Sequence, residues 1–287
     1  MKRNDRKLST LSTIETVGAN SFSKPVLWAA CALIASTAFA ADPFESKSYP
    51  ASSVREIVVT TAGGAVSLTA SAGASVNVDV SPAAAPGDDC QISQQLRGST
   101  LTLVARAPGS RMSFGPGKQC SAGFAVSAPA GVSVKAASGS GNVSLGAFSA
   151  KADIKTGSGD VAVSGFSGEL IARSGSGRVG GDASGPKIDV NTGSGNVDLS
   201  GLTGGASVKT GSGEVSLSWA RAPRSGKIDV RTGSGGLNAT FPAAARLKVS
   251  AKSGSGSLNS DFVNDGKASL ELTFRSGSGS ATLKKAL

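Results

Sequence analysis

The chain has 287 residues, with 29 Lys and Arg against 19 Asp and Glu, 39 glycines, three cysteines and no histidine. The lack of histidine excludes Ser-His-Asp and Cys-His nucleophile activation and the usual zinc and haem ligation. A net charge of +10 spread over this length is too dilute for a dedicated nucleic-acid binder.

Residues 1–40 read as a signal peptide. A basic stretch ending at Lys24 leads into the apolar run Pro25–Ala40, and Ala38-Phe39-Ala40 is a small-x-small cleavage site. An apolar run of about 15 residues is short for a membrane span, so no span is expected once the segment is removed. The long basic region before it leaves cleavage or retention as an anchor open. Cys31 comes too early in the apolar run to fit a lipoprotein processing site. Export places the remainder in the periplasm, at the cell surface or outside the cell. The first 40 residues hold five Lys/Arg and two Asp/Glu, which leaves a balance of +7 and two cysteines, Cys90 and Cys120. An oxidising compartment makes a disulfide between them the default, and closing a loop of about 30 residues contributes about 3 kcal/mol in the chain-entropy account.

Residues 41–133 form an irregular N-terminal β region. Ile57–Val59, Val66–Leu68, Val76–Val80, Leu101–Val104 and Phe124–Val126 read as strands, separated by turn-rich pieces at Pro82–Asp89 and Ala107–Cys120. They are expected to start the same sheet system as the rest of the chain and to cap its exposed end.

Residues 134–287 carry a regular repeat. Gly-Ser-Gly starts at Gly139, Gly157, Gly175, Gly193, Gly211, Gly233, Gly254 and Gly277, with four intervals of 18 residues followed by 22, 21 and 23. A Ser or Thr precedes each tripeptide. Four residues before that hydroxyl stand Val134, Ala152, Leu170, Ile188, Ala206, Ile228, Val249 and Leu272, and five after it stand Val143, Val161, Val179, Val197, Val215, Leu237, Leu258 and Ala281. These period-two patterns of mostly β-branched residues predict strands with one buried face. Each unit reads as strand, Gly-Ser-Gly corner, strand and a second turn, such as Ser164–Gly168, and leaves no room for a crossover helix.

The fold class is therefore all-β, a single-chain β-solenoid of short two-strand rungs of 18–23 residues. Eight rungs stacked at about 4.8 Å would span on the order of 35–40 Å. A right-handed coil is expected, although the residues do not themselves fix the hand. Corner glycines are expected to supply positive φ, and the serine between them to bond local backbone. Lys284 and Lys285 are expected to guard the last strand as a sheet edge.

Three rival readings of the tripeptide fail. A flexible linker would not carry Val and Ile in register on both sides. A calcium-binding solenoid needs an aspartate in every repeat, whereas the position after the tripeptide reads Asn142, Asp160, Arg178, Asn196, Glu214, Gly236, Ser257 and Ser280. A phosphate-cradling loop would need a following Gly-Lys-Ser/Thr and a helix. No metal and no cofactor is expected.

With Phe124–Val134 entering the repeats as strand, proline and strand, followed by Ser138-Gly-Ser-Gly-Asn-Val143 and its copies, the chain resembles bacterial exported proteins with β-strand repeats. This is an adhesin-like family of otherwise unknown function, and the similarity covers roughly residues 54–287. The resemblance implies a β-solenoid and an exported location, with no established ligand or catalytic residue.

No catalytic residue is assigned. The serines from Ser140 to Ser278 repeat identically, whereas a nucleophile needs one distinct environment. The expected function is a non-enzymatic, exported structural or adhesin-like module of the cell envelope. The alternative is a glycan-active enzyme of the polysaccharide-lyase kind, which works with Arg, Lys and Asp. A pocket joining a carboxylate to a cation would favour it.

Two binding surfaces are candidates. Lys155, Arg173, Lys209, Arg231, Lys252 and Arg275 each stand one residue before a corner, pointing outward, with Asp153, Asp189 and Asp229 offsetting half of them. They suit polyanions, either anionic envelope glycans or lipid head groups. The second candidate is the edge where the period lengthens, with Trp219, Arg221 and Arg224; the alternative there is that Trp219, Phe241 and Phe262 stack as a small satellite core covering the widened corner. Another envelope protein is the remaining partner class.

Overall fold

The structure, a computed structural model, describes residues 45–81, 90–108 and 120–286. The expected signal peptide, Cys31 and the Pro82–Asp89 segment lie outside the described residues. β1 (Glu45–Pro50) leads through a 3-10 turn at Ala51–Ser53 into β2 (Glu56–Thr61), β3 (Val66–Ser71), β4 (Ser75–Ser81), β5 (Gln91–Arg97), β6 (Thr100–Arg106) and β7 (Gly123–Pro129). The Gly-Ser-Gly region then supplies strands in pairs, each pair one rung. These are β8 (Ser133–Ser138) and β9 (Val143–Leu145), β10 (Ala152–Thr156) and β11 (Val161–Phe166), β12 (Leu170–Ser174) and β13 (Val179–Ala183), and β14 (Lys187–Thr192) and β15 (Val197–Leu202). They continue as β16 (Gly205–Thr210) and β17 (Val215–Trp219), β18 (Gly226–Thr232) and β19 (Leu237–Phe241), β20 (Lys248–Ser253) and β21 (Leu258–Ser260), and β22 (Leu270–Ser276) and β23 (Ala281–Lys285).

The first strand of every rung lies in an eleven-stranded sheet and the second in a twelve-stranded sheet. Neighbouring rungs pair in parallel and in register, as with Ala172 opposite Val190 and Val179 opposite Val197. The core lies between the two sheets and is built from the columns anticipated in the sequence: Ala152, Leu170 and Ile188 from one side, Val161, Val179 and Val197 from the other, all buried. The five strands expected before residue 130 appear as β2, β3, β4, β6 and β7. β1 and β5 escaped sequence reading because Glu45–Pro50 and Gln91–Arg97 show no run of alternating apolar residues. They are antiparallel outer strands, so only one edge and one face of each needs to match a neighbour.

Stacking order departs from chain order at both ends. β2 and β3 sit between the β8/β9 rung and β6 and β7. At the other end β22 and β23 sit between the β18/β19 rung and the β20/β21 rung. The edge strands there are β20 and β21, so Lys284 and Lys285 do not guard an edge, contrary to expectation. The physical reason is apolar content. Leu270, Leu272, Phe274 and Leu283 are all about 1% exposed between two neighbours, while the more polar rung with Val249 and Ala251 half-buried takes the end. The edge is instead guarded by Lys248 and Lys252 on β20 and by the brevity of β21.

The corner works differently from the expectation. The glycines with positive φ are Gly98, Gly165, Gly181, Gly201 and Gly226, and none is in a Gly-Ser-Gly corner. A Cβ on the second corner glycine, from Gly141 to Gly279, would instead lie 1.9–2.1 Å from the carbonyl oxygen of the matching glycine one rung away. Close approach of backbones demands glycine there. The central serines are exposed. The local bonding is done by the hydroxyl before the tripeptide, which accepts from the second glycine N–H at 2.7–3.0 Å in seven of the repeats. Ser138, Thr156, Ser174 and Thr210 also donate to the glycine carbonyl of the neighbouring rung at 3.1–3.3 Å. Thr61 at the β2/β3 corner repeats the arrangement. Every buried polar residue among the described ones belongs to this column, which explains why burial there is tolerated.

The second turn also carries a column. At Gly165 (φ 64°) and Gly201 (φ 75°) the strand register shifts, which turns Phe166 and Leu202 back into the core after an extra outward residue. Phe148, Phe166, Ala183, Leu202, Trp219 and Phe241 follow one another up the stack and are all buried.

Candidate functional site

On the outer face of the eleven-stranded sheet, the residue before each corner hydroxyl points to solvent because its neighbours on either side point inward. Pairing brings Lys155, Arg173, Asn191, Lys209, Arg231, Arg275 and Lys252 together in that order, one per rung. All are exposed. Arg173 is paired with Asp153 at 3.2 Å and Arg231 with Asp229 at 2.8 Å. Lys155, Lys209, Lys252 and Arg275 have no carboxylate partner among the described residues. The aspartates therefore neutralise two of the six cations, and Lys209, Arg231, Arg275 and Lys252 stand on four successive rungs with Asp229 as the one adjoining carboxylate.

A second column on the same face alternates in sign. Glu169 lies between Lys151 at 3.7 Å and Lys187 at 3.0 Å, and Glu271 meets Lys248 at 2.7 Å. Hydrogen bonding to Lys187 holds the Glu169 carboxyl below its usual value, and hydrogen bonding to Lys248 does the same for Glu271. The hydrogen bond from Lys135 to Glu56 pushes the Lys135 ammonium up. These cations are committed to neighbours, so the column beside them is the one free to meet a ligand. The twelve-stranded sheet shows the opposite chemistry, with Ser144, Ala162, Gly180, Asp198, Ser216, Asn238 and Thr282 along one outward column.

The lengthened edge separates its three candidate residues. Trp219 is 2% exposed, stacked on Phe241 at 4.3 Å between ring centroids, and its indole N–H donates to the Gly204 carbonyl at 3.0 Å. Phe241 meets Phe262 edge-on at 6.0 Å. Trp219 thus continues the second-turn column by plain alternation after Val215 and Leu217 and does not face a ligand, so the packing reading of this residue holds and the binding reading does not. Arg221 and Arg224 are exposed, and Arg224 lines an open groove with Lys187, Lys227, Pro186, Pro223 and Thr203.

A shallow depression at the end of the stack does join a carboxylate to cations, through Asp265, Arg246 and Lys285. Arg246 is held by Asp265 at 2.6 Å, and the Lys267 N–H together with Arg246 lowers the Asp265 carboxyl. Both groups are spent on each other. Cys90 and Cys120 form the expected disulfide, with Cα atoms 5.1 Å apart, tying the entries of β5 and β7. Among the described residues no helix is long and apolar enough to cross a membrane.

The family profile named Toastrack DUF4097 matches residues 54–285, nearly the whole two-sheet stack. The chain belongs to the Toastrack family. Solved structures similar to this Toastrack chain include a candidate adhesin from Bacteroides fragilis, with 12% identity, a TM-score of 0.44, and coverage of 84% of this chain and 96% of the other. A candidate lipid binding protein from Parabacteroides distasonis has 15% identity, a TM-score of 0.32 and coverage of 86% and 98%. A candidate cell adhesion protein from Clostridium sporogenes has 12% identity, a TM-score of 0.30 and coverage of 84% and 98%. No curated protein matches the chain. At such identities and scores no site is transferred from these structures.

Proposed function

We propose that this Toastrack chain is a non-enzymatic, exported module of the cell envelope that binds anionic glycans or lipid head groups along the cationic column of its eleven-stranded sheet. The observation that carries the reading is the run Lys209, Arg231, Arg275 and Lys252 on four successive rungs, of which only Arg231 has a carboxylate partner. Paired strands hold these side chains at the rung spacing of about 4.8 Å, so a chain of anionic groups meets several at once without reordering the backbone. A disulfide-stapled fold suits an oxidising compartment outside the cytoplasm.

The contacts are exposed and act within a Debye length of about 8 Å at physiological salt, so binding is weak and salt-sensitive. The test is binding of residues 41–287 to dextran sulfate across an ionic-strength series. A variant with Lys155, Lys209 and Arg275 changed to Gln is expected to lose most of the affinity and the salt slope while keeping its melting temperature. Unchanged binding in that variant would reduce the column to a solubilising surface.

A further inference from the structure

The end of the stack formed by β20, β21 and the turn after them carries an unexplained combination of groups. The exposed large hydrophobics among the described residues are Leu258 at 47% and Val263 at 89%, and both belong to this rung. Leu258 is exposed because no further rung covers its column, whose interior members Leu237 and Ala281 are 1% exposed. Val263 lies on no core column and projects from the turn. Beside it the half-buried Phe262 and Ala245 and the exposed Ala243 line the depression, and the Lys285 ammonium stands 5.5 Å from the Phe262 ring centroid.

The surroundings decide what covers this end. Strand addition by a second copy is obstructed, because the Val249 N–H on the edge strand is capped by the Asn264 side chain at 2.8 Å and Leu247 bridges to Asn264. Lys252 charges that edge as well. The exposed cations Lys252, Lys267, Lys284 and Lys285 have no ion-pair partner among the described residues; of the two carboxylates in the turn, Asp265 is held by Arg246 and the exposed Asp261 accepts the Lys285 backbone N–H at 3.1 Å, so the cations outnumber the acids. An apolar tip framed by lysines complements an anionic lipid surface, where the apolar side chain enters the acyl boundary and the lysines meet head groups. It repels another copy of the same basic end.

We infer that this end docks on an anionic lipid bilayer, with Val263 as the inserted side chain. The surface shares only Lys252 with the polyanion column; the lipid class overlaps with the function proposed above, but the docking rests on a different set of residues and does not depend on that column.

The test uses residues 41–287 with vesicles of phosphatidylcholine alone or mixed with phosphatidylglycerol, read by sedimentation. Binding to the mixed vesicles and not to phosphatidylcholine is expected. Val263→Asp should weaken it by about tenfold or more, the loss expected for one apolar side chain withheld from burial. A variant with Lys267, Lys284 and Lys285 changed to Gln should weaken it comparably. Val263 is nearly fully exposed, so circular dichroism and the melting temperature should not change. In a Val263→Trp variant, emission should shift to the blue on mixed vesicles only.

The variant with Lys155, Lys209 and Arg275 changed to Gln should retain vesicle binding, which separates this docking from the polyanion reading. Vesicle binding lost in that variant and kept in Val263→Asp would overturn the end-on docking. So would the absence of any vesicle binding, or a dimer in light scattering that Val263→Asp dissolves.

Discussion

The residue that organises the corners is the hydroxyl before the tripeptide, because at Ser138, Thr156, Ser174 and Thr210 it is buried and satisfies two backbone groups at once, one in its own rung and one in the next. The second glycine is required by its neighbour's carbonyl and the central serine by nothing inside the fold. The three positions should therefore respond unequally. Gly195→Ala places a methyl 1.9 Å from the Gly177 carbonyl oxygen and should cost about 1–3 kcal/mol or more, since the rungs must part. Ser194→Ala, at an exposed position, should stay within about 0.5 kcal/mol of the parent. Urea unfolding midpoints compare the two, and equal midpoints would contradict the close-approach account. From the sequence alone the serine and the second glycine look equally invariant across the repeats, while the hydroxyl before them varies between Ser and Thr, which is why the serine drew attention that belongs to its neighbours.

At the level of the element, the strand pairs were legible because alternation and the fixed interval of 18 residues come from one cause, a core face repeated rung after rung. Less legible was the second-turn column. Phe166 and Leu202 break the alternation, and only the bulges at Gly165 and Gly201 show that they point inward. Stacking order was not legible either. Because β22 and β23 lie inside the stack, removing residues 268–287 should do more than trim an end. It should also release β20 and β21, whose parallel partners are β22 and β23. Amide hydrogen exchange should then show loss of protection at Lys248–Ser253 in the truncated chain, together with a lower melting temperature. Protection retained at those amides would show that β20 can pair with β18 directly.

For the molecule as a whole, stability is additive along the stack, with each rung depending on its neighbours. The antiparallel strands β1, β4 and β5 finish one end, where the disulfide ties the entry of β5 to that of β7, whereas the other closes with a short turn and exposed apolar groups. Reducing Cys90–Cys120 should lower the unfolding free energy by about 3 kcal/mol, measured in urea with and without reductant. Two alkylatable thiols in native protein isolated from the bacterial envelope would refute the bond in the cell.

The sequence by itself determined the class of fold, the composition of the core columns and the outward cationic column, because each follows from spacing along the chain, and it pointed to the disulfide because only two cysteines remain after the export segment. It also identified the candidate polyanion residues correctly as exposed, though pairing with Asp153 and Asp229 had to be read in three dimensions. Only the tertiary structure decided which rungs are neighbours, which edge is open, and that Trp219 is buried while Val263 is not. Those outcomes depend on which rungs gain most by burial on both sides, a comparison among distant segments that no local pattern contains.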